Sequence, residues 1–412
     1  GPDGSTTKSI LPWAVGDASS AGAGSGFLTN GTDGLRLLTA GEYDATIAGT
    51  LANRNVSAAG GETVSTSVAI NSLRLTGGTT TIAANTTVRL GSGALLFTGS
   101  ASLAGPGVLD LDGATGNFSV SSDSGIVGSI TAALSGNAGL TLASSGAGNN
   151  VIELGGDNSR LAGDVIVQSG TLRLTSATAL NAKTPVTVLG PLGGNPKLEL
   201  NGNSVVIRDI QAGTTGSALQ FLNGGATVAT LTSYLTADRS INSVLADGGT
   251  GKLNLALGND TTNTRRALTL YGTNTMTGSV SINEGVLRLF GANGALTGVP
   301  TFNVAGGTLR IANTDSANFN TNRVGDAAVV NLRGSATLDF DNNATSGRNY
   351  AETLGAVNGF AGSNVITVDK AASGNTSVLT IASLNRMQPG AIVIFSSQSN
   401  GNDVYDLGQS LS

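Results

Sequence analysis

Apolar residues in this chain come in short alternating runs, and one phrase returns again and again: a small residue, then Leu, any residue, and Leu. It reads Ser72-Leu73-Arg74-Leu75, Val108-Leu109-Asp110-Leu111, Thr171-Leu172-Arg173-Leu174, Lys252-Leu253-Asn254-Leu255, Val286-Leu287-Arg288-Leu289 and Thr308-Leu309-Arg310-Ile311. Weaker copies lie at Leu140, Leu198 and Leu338. Successive side chains on a strand point to opposite faces, so the phrase predicts a short strand with one apolar and one polar face. A single such strand cannot bury its Leu face. Many of them, stacked, bury it together, and this is the logic of a solenoid. Spacing between phrases runs from 14 residues (Leu95 to Leu109) to 55 (Leu198 to Leu253), so the coils carry loops of unequal length. The longest gap predicts an unmarked coil around Ala218-Leu219-Gln220-Phe221-Leu222. Almost no helical periodicity is present, and the runs end at Gly, Asn, Asp and Ser.

A longer repeat contains the phrase. Ile152 to Leu174 and Leu268 to Leu289 share one template: strand, turn with Asn, Gly, strand, polar-Gly turn, strand. The copies align at an offset of 115 from Gly163 and Gly278 onward. The turns Ser169-Gly170 and Glu284-Gly285 fit either a hairpin or a sharp solenoid corner, because both use the positive φ open to Gly.

The second copy resembles the autotransporter-associated β-strand repeat. It matches at Leu268, Leu270, Gly272, Asn274, Thr277, Gly278, Val280, Ile282, Gly285, Leu287 and Leu289, and the first copy matches with one extra residue before Gly163. The resemblance implies a large bacterial surface or secreted protein built as a right-handed parallel β-helix. Ser9 to Gly16 and Gly34 to Tyr43 resemble a linker module that recurs between blocks of such proteins, and Leu379 to Arg386 with Gly390 to Phe395 resembles the segment that precedes it. The expected organisation is an irregular N-terminal linker or docking segment at 1–52, a β-helix at 53–395 and a tail or inter-unit connection at 396–412. Leu11, Pro12, Trp13, Ile394 and Phe395 are the candidate docking residues, with Trp13 expected to anchor the N-terminal segment by packing.

Composition narrows the chemistry. The 412 residues include 61 Gly, no Cys and no His, with only 11% charged and 4% aromatic residues. Absent His and Cys exclude His-based general bases, Ser-His-Asp triads and thiol catalysis. Lys and Arg are scattered and the net charge is −5, so no nucleic-acid face is expected. No apolar run is long enough for a membrane helix. Gly408 to Ser412 lacks the alternating strand of a translocator barrel, so a self-contained autotransporter is not expected.

Two acidic pairs stand out: Asp110 with Asp112, and Asp339 with Asp341. Each is spaced i, i+2 and is expected on one strand face, where two carboxylates suit one side of a Ca²⁺ site or glycosidase chemistry. The favoured expectation is simple exposure to solvent; apart from Ca²⁺ no cofactor is expected. Turn asparagines (Asn149, Asn150, Asn158, Asn274, Asn342, Asn343) are expected to bond along the solenoid axis. Arg74, Arg173, Arg288 and Arg310 face outward and are expected to be spread, since stacked like charges repel.

No cap helix is recognisable at either terminus, and open strand edges favour head-to-tail contact. The expectation is therefore a non-enzymatic structural element of a secreted or cell-surface fibre, sheath or stalk-like adhesin. It would associate with itself head-to-tail or with adjoining repeats of a longer chain. The alternatives are a monomeric passenger or adhesin segment that binds carbohydrate or a surface through its lateral face, and a β-helical polysaccharide lyase or hydrolase using Asp110 and Asp112.

Overall fold

A computed structural model describes residues 1–19, 25–121, 125–144, 149–182, 184–188, 196–212, 220–259, 265–314, 319–342, 348–369, 375–397 and 403–406. Gly408–Ser412, Asn343, Ala218 and Leu219, named above, lie outside these residues. The chain is all-β, a parallel β-solenoid, and divides into two compact units, Gly1–Ile207 and Arg208–Ser412.

In the first unit, Asn55–Ala58 pairs in parallel with Val68–Leu75, which pairs with Thr87–Phe97. Val108–Asp110 and Gly116–Val120 then take the two halves of that long strand. A second parallel sheet stacks Gly78–Ile82, Ala101–Ala104, Val127–Ile130, Val151–Leu154, Thr171–Leu174 and Lys197–Glu199. The Leu phrases sit directly over one another: Ile152 opposes Leu172, and Leu172 opposes Leu198. In the second unit Leu268, Leu287, Leu309, Leu338 and Ile366 form an equivalent stack, every member fully buried. Gln220–Leu222 supplies the unmarked coil, pairing in parallel with Val244–Ala246 around buried Phe221.

The Gly turns are corners. Val165–Val167 pairs with Leu140–Ser144, whereas Thr171–Leu174 pairs with Val151–Leu154, so the strands flanking Gly170 belong to different sheets. Gly170 has φ +74° and Gly285 φ +77°. The long repeat is thus one complete turn, whose last strand lands on its own first.

The N-terminal segment is more ordered than expected. Val15–Asp17, Ser25–Gly31 and Gly34–Leu37 form an antiparallel meander, followed by a single 3₁₀ turn at Ala40–Glu42. Phe27, Leu38 and Tyr43 pack on Ala94 and Leu96, which explains why Ala94–Phe97 is apolar on both faces. The same segment covers the first coil. Asn55 N–H donates to Thr6 C=O (2.7 Å), Asp44 N–H to Asn55 C=O (2.8 Å) and Ser57 N–H to Asp44 C=O (2.8 Å), while Ile47 is completely buried. The expectation of an uncapped first coil is therefore corrected: the cap is a strap of extended chain, with no apolar periodicity to announce it. At the other sequence end, Ala391–Ser397 pairs with Gly362–Val368, and parallel pairing continues past residue 395 through Asp403–Asp406.

Candidate functional site

The first acidic pair closes on an arginine. Arg89 Nε lies 3.5 Å from Asp110 Oδ2 and 3.3 Å from Asp112 Oδ1. Asp110 ends its strand and also accepts from Ser135 Oγ (3.1 Å), while Asp112 sits in the following turn at φ +51°. The two do not share a strand face, because the strand stops between them. Arg89 borders a shallow depression of about 250 Å³ lined by Ser67, Val68, Ala69 and Thr87.

The second pair is built the same way and is richer. Arg310 Nε reaches Asp339 Oδ2 at 2.7 Å and Asp341 Oδ2 at 3.8 Å. Arg310 and Asp339 are register partners on stacked strands, so the solenoid repeat itself brings them together. Asp339 is buried, not simply solvated, and burial pushes its carboxyl up despite the guanidinium. Asp369 joins them. Burial first, then the charges of Asp339 and Asp341, push its carboxyl up to about 7. Three carboxylates therefore face one guanidinium, and at neutral pH Asp369 is poised between its charged and neutral forms. In both pairs an arginine from a neighbouring coil faces the carboxylates. Among the described residues no group of three or more acidic side chains has the arrangement of a metal site.

The other arginines follow charge logic with one exception. Arg173 lies between its register partners Glu153 and Glu199, at 3.2 and 3.0 Å. Arg74 stacks on the Tyr43 ring at 4.4 Å. Arg288 and Arg310, expected to be apart, are direct register partners. The repulsion is relieved because their side chains diverge: Arg288 lies over the Phe290 ring at 4.1 Å and donates to Thr314, while Arg310 turns to Asp339.

Asparagines clamp coils together. Asn158 Oδ1 accepts from Leu134 N–H (2.8 Å) as its Nδ2 donates to Ala179 C=O (2.9 Å). Asn274, at the equivalent place in the second copy, accepts from Leu245 N–H (3.0 Å) and donates to Ala295 C=O (2.9 Å). Asn150 does the same with Ile126 and Ser121.

Trp13 is not a packing anchor. It is 75% exposed, on the turn closed by Ala14 N–H to Leu11 C=O, where Pro12 fixes the backbone and leaves the indole outside. Leu11 and Pro12 are half-buried, Leu11 N–H donating to Leu28 C=O. Ile394 is exposed, and Phe395 is half-buried opposite Ile366.

The sequence reading missed Arg323 and Glu352, both fully buried in the second unit. Glu352 accepts from the backbone N–H groups of Arg323 and Val324, and Arg323 donates its guanidinium to Asn313 Oδ1 and Gly294 C=O. Burial pushes the Glu352 carboxyl up to about 7 and the Arg323 guanidinium down to about 10. Alternation within Tyr350-Ala351-Glu352-Thr353-Leu354 does place Glu352 on the inward face, whereas Arg323 among Asn and Gly reads as a solvated turn.

Comparison of the chain with protein-family models, with curated proteins and with solved structures finds no match.

Proposed function

We propose that this chain is a non-enzymatic structural segment of a bacterial extracellular assembly, extended by contacts at its sequence ends. The contacts join it to a second copy head-to-tail or to adjoining repeats of a longer chain. One observation carries the reading. Of the nine large apolar residues exposed among the described residues, Trp13, Leu35 and Leu51 lie near the start, and Met387, Ile392 and Ile394 lie near the end. Exposed apolar side chains gathered on one surface mark contacts, and Ile392 and Ile394 are both exposed on one strand. Because the first coil is covered, contact there uses the strap and its Trp13 turn, not bare strand edges. The residues that recur are also spent on cohesion: Leu in the core, Asn in coil clamps, Gly at corners.

A second reading, a polysaccharide lyase or hydrolase, draws on Asp341 and Asp369, neighbouring carboxylates of which Asp369 is pushed up to about 7. Against it, Arg310 neutralises part of that cluster. Sedimentation of the whole chain over a range of concentrations tests the first reading, and incubation with neutral and acidic polysaccharides tests the second. Association weakened by Trp13→Ser and by Ile392→Ser, with no polymer cleaved, supports the structural role. Cleavage abolished by Asp369→Asn would replace it.

A further inference from the structure

The outer face of one sheet in the second unit has a chemistry that end-to-end assembly does not use. Ser281, Asn303, Asn331, Asn358 and Asn385 stand opposite one another on successive strands, the first four pointing outward between buried neighbours and Asn385 exposed. Their amides form a ladder. Asn331 Nδ2 donates to Asn303 Oδ1 (2.8 Å), Asn358 Nδ2 to Asn331 Oδ1 (2.8 Å) and Asn385 Nδ2 to Asn358 Oδ1 (2.9 Å). A primary amide has two N–H donors and two acceptor lone pairs, so each rung has capacity beyond the ladder itself. The rungs recur at the coil rise of ~4.8 Å.

On the same sheet, one outward column over, Tyr234 is 41% exposed. Its ring leans over Gly258, where a Cβ would meet ring carbons at 2.8 and 2.9 Å. Glycine there lets the ring rest on the sheet, with an aromatic surface turned to solvent. Charge is nearly absent. In the asparagine column and the outward columns on either side, Arg333 is the one charged residue, and it is occupied over the Phe360 ring at 4.6 Å. The neighbouring sheet carries the charges instead: Arg288, Arg310, Asp339 and Asp341.

We propose that this face binds a neutral polysaccharide, laid along the stacking direction from Tyr234 towards Asn385. Sugar hydroxyls both donate and accept, as the amides do, and the apolar face of a sugar ring suits an aromatic platform. An anionic polymer would lose hydration here and find a single cation, Arg333, across the face. Six coil steps separate the Tyr234 strand from the Asn385 strand, roughly 30 Å of face, enough for several sugar units. The proposal goes beyond the structural role and does not depend on self-association.

Affinity electrophoresis of the whole chain, in gels containing a soluble β-glucan, a mannan or an arabinoxylan, with polygalacturonate as the ionic comparison, tests it. The expected result is retardation by at least one neutral polymer, insensitive to added salt. Tyr234→Ala and the double change Asn331→Thr with Asn358→Thr should each weaken it about tenfold, near 1.4 kcal/mol. Tyr234 is exposed, so Tyr234→Ala should melt like the parent and serves as the folded control. Retardation by polygalacturonate alone, by no polymer, or equally in parent and variants would overturn the proposal. So would loss of self-association in these same variants, which would make the face a contact between copies.

Discussion

Asn158 and Asn274 show what a single residue contributes to this architecture. Each is buried, accepts from a backbone N–H of one neighbouring coil and donates to a C=O of another. A shorter side chain orphans both groups at once, and each buried unsatisfied group costs on the order of 1–3 kcal/mol. Asn274→Ala should therefore destabilise the second unit by about 2–5 kcal/mol, read as a lower denaturant midpoint, and Asn274→Asp should not rescue it, because a carboxylate cannot donate to Ala295 C=O. Their turn position was visible in the sequence, and so was a stacking role. The asparagines that bond one another, Asn303 to Asn385, were not distinguishable there, because register decides which amides meet and unequal loops conceal register.

At the scale of the strand, alternation fixed the inward Leu, Val and Ile, and stacking did the rest. Hairpin and corner share turn chemistry, so only the pairing partners of the strands flanking Gly170 separate them. The acidic pairs were legible as pairs; their arginine partners were not, since Arg89 and Arg310 come from neighbouring coils 21 and 29 residues away in sequence, as the loops happen to be long. Buried Glu352, on Tyr350–Gly359, makes the second unit pH-sensitive. Its carboxyl sits at about 7 in the fold against an ordinary 4.5, so between these values the folded state holds a proton that the unfolded state has released. Stability of that unit should fall as pH rises from 4.5 to 7. Glu42 acts oppositely in the first unit. The Arg36 guanidinium holds its carboxyl down to about 2, so its contribution is present at neutral pH and fades as pH falls from 4.5 towards 2. Circular dichroism of denaturation should show the second unit more resistant at about pH 5 than at about pH 8; Asp369, also pushed up to about 7, acts with the same sign, so Glu352→Gln should remove part of the difference and Glu352→Gln with Asp369→Asn most of it. Trp13, the single Trp, follows the first unit in the same samples.

For the whole molecule, the fold class was legible because a repeat states its own architecture many times over. The N-terminal strap was not, because it works through backbone hydrogen bonds from residues such as Thr6 and Asp44 whose side chains carry no pattern. The proposed function rests less on a catalytic constellation than on where apolar surface is left uncovered. The central claim is that this surface joins units end to end. Electron microscopy of the purified chain at rising concentration tests it most directly. The account predicts filaments or strings of units that shorten in Trp13→Ser and in Ile392→Ser; single dispersed units at every concentration, or filaments untouched by either change, would contradict it.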